Sequence, residues 1–192
     1  MVFDSGTGRV ILFGGSDRTE SVYFNDTWAY DPGANTWTDL SPAGDVPPAR
    51  SGQAMVYDSA TEQVILFGGH SAEPFNDTWA YDAMANTWTN LQPERNAEPP
   101  GIRMQHSMVY DSAAGRVILF GGLDPGVPTV LNDTWIYDPG TNIWTRLELT
   151  GNLPARREFH SSVYDPATGR VILFGGMDYG QRKFSDTWVY GE

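Results

Sequence analysis

Short apolar runs, separated by turn residues, recur along this chain at a fixed interval. The most regular is Val-Ile-Leu-Phe-Gly-Gly, at residues 10–15, 64–69, 117–122 and 171–176. Four near-identical copies at a spacing of roughly 53 residues mark a tandem repeat. Val-Ile-Leu-Phe is β-branched and aromatic, too short for a helix and closed by glycine, so it predicts a buried strand. The glycine pairs Gly14-Gly15, Gly68-Gly69, Gly121-Gly122 and Gly175-Gly176 predict positive φ or a closely approaching backbone.

The rest of each copy follows the same order. A variable loop leads to Asn-Asp-Thr-Trp (Ser-Asp-Thr-Trp in the fourth copy), then Tyr-Asp and a short turn. The first tryptophans are Trp28, Trp79, Trp135 and Trp188. Trp37, Trp88 and Trp144 follow nine residues later in the first three copies. Another strand, ending in Phe3-Asp4, Tyr57-Asp58, Tyr110-Asp111 or Tyr164-Asp165, precedes each glycine strand. Its lead-in, from Arg50, Arg103 or Arg157, is read as part of that strand. The Asp before each turn can accept backbone N–H groups, which accounts for its recurrence without chemistry. One unit is thus four short strands. The fourth lacks its outer strand, giving an expected fifteen.

Composition adds little to the fold and more to the partners. All seven Trp fall at repeat positions, and no long 3.6-residue period appears among the 192 residues, so the class is all-β. A net charge of −12 argues against nucleic acid as partner. No apolar run approaches the roughly 20 residues that span a bilayer. Residue 1 already reads as strand, so no signal peptide is expected. Zero cysteine removes disulfides and thiolate sites.

Apolar strand, Gly-Gly, spacer, aromatic and Trp, at about 50 residues per unit, resembles the kelch repeat over essentially the whole chain. The WD40 pattern fits worse in period and lacks its Trp-Asp signature. The resemblance implies a single β-propeller domain with blades at about 1–40, 50–91, 103–147 and 157–190. Strand 1 would lie by the central channel and strand 4 outermost. Kelch propellers commonly have six or seven blades and a closing blade shared by both termini. Against that pattern this chain reads as a slice of a longer propeller, a small four-bladed ring, or half of an assembly formed by self-association.

In such a blade the 2–3 and 4–1 loops open on one face. They vary between copies while the 1–2 and 3–4 turns repeat, so binding is expected on the varied face. Arg50, Arg103 and Arg157 share a register. They would either ring the channel mouth as a carboxylate clamp or pair with a repeated Asp or a carbonyl of the next blade. His106 and His160 share a register with Gln53. Without a placed third ligand they read as hydrogen-bonded inner-strand residues rather than a metal site. His70 reads as a solvated loop residue. Asp26, Asp77, Asp133 and Asp186 read as turn or strand caps, and the Trp as blade core. Phe24, Phe75, Leu131 and Phe184 read as buried. Tyr23 and Tyr179 do not recur and could offer aromatic faces to a sugar or peptide. Asp124 and Asp178 read as solvated loop acids.

No nucleophile–base pair, metal set or cofactor site emerges. The expected function is a non-catalytic binding or scaffolding module for a protein or glycan, with no membrane or nucleic-acid partner. The alternatives are a carbohydrate-acting enzyme of the mutarotase type and a pure assembly unit without a ligand. A galactose-oxidase chemistry needs a Cys–Tyr crosslink and is excluded by the absence of cysteine.

Overall fold

The computed structural model describes residues 1–92 and 98–191. Fifteen strands and no helix form among them. The first antiparallel sheet holds β1 (Val2–Asp4), β2 (Arg9–Ser16), β3 (Tyr23–Asp31) and β4 (Thr36–Asp39). The second holds β5 (Ala54–Asp58), β6 (Gln63–Phe67), β7 (Thr78–Asp82) and β8 (Thr87–Asn90). The third holds β9 (Ser107–Asp111), β10 (Arg116–Asp124), β11 (Thr129–Asp138) and β12 (Ile143–Leu147). The fourth holds only β13 (Ser161–Asp165), β14 (Arg170–Phe174) and β15 (Thr187–Tyr190). Sequential meander order makes each sheet one blade, and the four are arranged as a β-propeller. The inner strands β1, β5, β9 and β13 stand side by side in succession.

The apolar run is continuous because both of its faces are covered. Ile11, Phe13 and Ala29 point forward and pack with Val64, Leu66, Trp79 and Tyr81 of the second sheet. Ile65, Phe67 and Ala80 then point forward onto Val117, Leu119 and Tyr137 of the third. The third interface is smaller, joining Val109 and Ile118 to Val171. Strand alternation thus sends Ile and Phe to the next blade and Val and Leu to the previous one. The forward face of the fourth sheet is open: Phe174 is 55% exposed, where Phe67 is 0%.

In the second and third sheets both glycines of the pair are explained by close neighbours. A Cβ on Gly122 would stand 2.7 Å from the Met104 carbonyl oxygen, and one on Gly121 2.8 Å from that of Arg157. Both residues also have positive φ. In the first and third sheets the pair forms a bulge, and the hairpin runs on past it.

One expectation needs correction. The lead-ins starting at Arg50, Arg103 and Arg157 are not strand. The inner strands begin four residues later, and the lead-in backbone instead crosses to the preceding blade. Arg50 N–H donates to Phe24 O, and its carbonyl accepts from Gly15 N–H. Arg103 and Arg157 repeat this with Phe75 and Gly69, and with Leu131 and Gly122. The turn reading of the inner-strand Asp holds: Asp4 Oδ1 accepts from Gly6 N–H at 2.8 Å and Asp58 Oδ1 from Ala60 N–H at 2.8 Å.

Candidate binding face

The lead-in arginines do not ring an open channel mouth. Arg50 and Arg157 are 0% exposed, and Arg103 is also buried. Arg103 Nη1 and Nη2 donate to Asp133 Oδ1 and Oδ2, both at 2.9 Å. Nη1 also donates to Gly121 O, and Nε to Gly101 O. Arg50 makes the same set with Asp77, Gly68 and Pro48, and Arg157 with Asp186, Gly175 and Ala155. Four of the five guanidinium N–H groups are committed. Of the two sequence alternatives, geometry realises the pairing with a repeated Asp, but that Asp belongs to the arginine's own blade. The backbone of each Arg is held by one blade and its side chain by the next. Phe75 lies 3.8 Å beneath the Arg50 guanidinium, and Phe184 lies 4.4 Å from that of Arg157.

Asp77, Asp133 and Asp186, expected to cap turns or strands, are thus the partners of buried arginines. Each also accepts its own tryptophan indole: Trp79 Nε1 donates to Asp77 at 2.7 Å and Trp135 Nε1 to Asp133 at 2.6 Å. Burial alone would raise the Asp133 carboxyl, but the Arg103 hydrogen bonds outweigh it and hold the group below its ordinary value. Asp186 is also lowered, chiefly by Arg157. Asp26 accepts from Trp28, and among the described residues no arginine reaches it.

His106 and His160 stand on the inner lead-ins, with their rings edge-on to Phe67 and Phe120. His160 Nε2 lies 2.9 Å from Ser107 Oγ of the preceding blade, while Gln53, in the same register as His160, donates Nε2–H to Phe13 O of its own preceding blade. His106 shows no protein partner at either ring nitrogen. No group of three metal-ligating residues occurs among the described residues. Burial drives the His160 pKa down to about 4, helped by the Arg157 charge, and lowers His106 for the same reason beside Arg103.

Both rings are thus neutral in the folded chain at neutral pH. Between about pH 6.5 and 4 the unfolded chain binds a proton that folded His160 refuses, so stability falls as pH drops through that window. Above it the contribution is full. The expected loss from His160 is up to about 3 kcal/mol at the acid end. His160→Gln, the residue found at position 53, should flatten this window. Denaturant melts from pH 7 to 4 check it; parallel curves for both proteins would refute the assignment.

The residues that do face solvent lie above this layer. Position 52 of the second lead-in is in register with 105 and 159, and these three form a chain: Gln105 N–H donates to Gly52 O at 2.8 Å, and Phe159 N–H to Gln105 O at 3.1 Å. All three have positive φ, +70° at Gly52, +57° at Gln105 and +56° at Phe159. Phe159 is nevertheless 55% exposed. An exposed bulky aromatic in the left-handed region is an outlier that sequence reading missed. Comparison of the three lead-ins held the only signal, because glycine occupies the same register once.

Tyr179 is also exposed, in the loop between β14 and β15. Tyr23 is not presented alone: its ring meets His70 edge-on, with the hydroxyl 3.4 Å from Nε2. His70, expected to be solvated, is largely covered there and lies 3.9 Å from Glu20. Phe24, expected to be buried, is exposed; among the described residues no lead-in arginine lies over it as Arg50 lies over Phe75. Asp178 caps its own loop through Arg182 N–H, and Asp124 accepts from Gly126 N–H. No helix among the described residues is long and apolar enough to cross a membrane.

Comparison with known proteins agrees with this architecture. Residues 3–191 match the family described as KLHDC2/KLHL20/DRC7 Kelch-repeats domain. The chain is 30% identical to the host cell factor homolog hcf-1 of Caenorhabditis elegans over 93% of its own length and 24% of the relative's. It is 29% identical to the Rab9 effector protein with kelch motifs of Xenopus laevis, over 83% of this chain and 43% of that one. The kelch domain-containing protein 3 of Mus musculus is 27% identical over 88% and 45%. The chain spans less than half the length of each of these relatives. Four Arg- and Gly-stitched blades and a family match over nearly every residue place the chain in the kelch-repeat β-propeller family.

Proposed function

We propose that this chain is a non-catalytic binding module whose partner, a protein segment, docks on the face formed by the 2–3 and 4–1 loops. The observation that carries this reading is Phe159. A non-glycine residue held in the left-handed region costs on the order of 1–3 kcal/mol, and such strain concentrates where a side chain must be presented. Phe159 holds an exposed aromatic near the inner strands, on the same face as Tyr179. Aromatic anchors of this kind dominate protein-binding surfaces. The buried, self-paired arginines support a hydrophobic anchor over an anionic clamp. The Rab9 effector named among the relatives is consistent with a partner-binding role on this scaffold.

Phe159→Gly separates presentation from folding. Glycine relieves the strain, so stability should rise by about 1 kcal/mol, while peptides selected from a display library against the native chain should lose at least ten-fold in affinity. Met84→Ala, on a 3–4 turn of the opposite face, should leave binding unchanged. Selected peptides that ignore Phe159 and Tyr179 but respond to Met84 would sink this reading.

A further inference from the structure

Positions 51, 104 and 158 share a register, each directly after a buried lead-in arginine. Each pairs antiparallel with the residue that follows Gly-Gly in its own blade: Ser51 with His70, Met104 with Leu123 and Glu158 with Met177. The backbone is common to all three, and the side chain is not. A hydroxyl, a thioether and a carboxylate occupy one place, and the repeat scaffold demands none of them in particular.

Glu158 is the most covered of the three, at 6% exposed, while Ser51 and Met104 are partly open. Acidic side chains are almost never so covered unless they are paired. Among the described residues this one has no partner. Burial alone acts on its carboxyl and raises it, with no hydrogen bond or neighbouring charge to lower it. The adjacent Arg157 is committed to Asp186, Gly175 and Ala155. The carboxylate oxygens are not sealed off as both His106 ring nitrogens are. They lie between Met177 and the lead-in of the third blade, where Phe159 N–H donates to Gln105 O. An unpaired, largely desolvated carboxylate thus stands in a narrow opening beside the presented Phe159.

We propose that the segment docking on this face carries a basic side chain, lysine or arginine, whose cation enters the opening and pairs with Glu158. This rests on the binding reading above and supplies the chemistry of its partner. A net charge of −12 favours the approach of such a segment. A charge-assisted hydrogen bond forms more strongly to a carboxylate that has already lost most of its water than to one at an open surface.

The probes are peptides selected from a display library against the native chain. Those that need Phe159 should share a basic residue at one fixed place. Glu158→Gln in the chain, or norleucine for that basic residue in the peptide, should each weaken binding by at least about ten-fold. The two changes together should cost little more than either alone, as for groups in direct contact. Denaturant melts give a readout that needs no peptide. Glu158→Gln should be at least as stable as the native chain, because it removes a buried charge and strands no partner. A clear loss of stability would show that the carboxylate serves the fold, and overturns the proposal. Peptides that need Phe159 yet lack a basic residue, or ignore Glu158→Gln, overturn it too and leave the docking face standing. Peptides indifferent to Phe159, or no selected peptide at all, overturn the docking face and this inference with it.

Discussion

Replacing Asp77 with alanine should destabilise the chain by about 3–5 kcal/mol, whereas the same change at Asp26 should cost less than about 1 kcal/mol. The two residues hold the same place in their repeats. Asp77 is the bidentate partner of Arg50, which is fully buried. Its removal leaves a buried guanidinium without its carboxylate partner, and the cost is that of an uncompensated buried charge. It also frees the Trp79 indole N–H. Asp26 loses only its bond to Trp28, at an exposed site. For a chain of this size the Asp77 change corresponds to a melting shift on the order of 10 °C. Thermal and urea melts of the two variants side by side decide it. Equal shifts would mean that the buried pair adds nothing beyond the tryptophan contact.

A similar contrast is expected for the outer tryptophans. Trp144→Ala should cost about 3–5 kcal/mol, because the ring is buried against Phe67 and Tyr137 and its N–H is bonded to Thr78. Trp37→Ala should cost under about 1 kcal/mol. Trp37 is 48% exposed and meets the Tyr30 ring of its own sheet, and no blade among the described residues supplies it a socket. Urea melts with a shared m-value would test this. A large effect at Trp37 would show that its face is covered in solution, and would point to association of the chain through that end.

The repeat made the blades legible without structure. Val-Ile-Leu-Phe recurs because both faces of the strand are buried, and that doubling erases alternation in favour of a continuous run. The Gly-Gly pair carried its own reason, since only a Cβ-free backbone lets the next lead-in approach so closely. The site was less legible. Arg50, Arg103 and Arg157 stood out as repeated charges, yet their partner lies 27 to 30 residues onward across a variable loop, and no local pattern encodes that distance. Repetition favoured pairing over ligand binding, but did not reveal that the backbone and side chain of one arginine serve two blades. Phe159 was hidden for the opposite reason: it does not repeat. Its backbone is the repeated feature, its side chain the departure, and only φ joins the two.

That double attachment of each arginine bears on how the molecule comes apart. A boundary drawn between sequence copies falls where the chain is tied most firmly, not least. Deleting one copy would remove the carbonyl to which a neighbour's Gly-Gly N–H donates and the arginine whose backbone crosses the seam, so the repeated unit is not a unit that can melt by itself. Amide exchange should therefore report blades that open in company with their neighbours. Among the described residues the last sheet has three strands and is held through the smallest of the three interfaces, so it should be the first to let go.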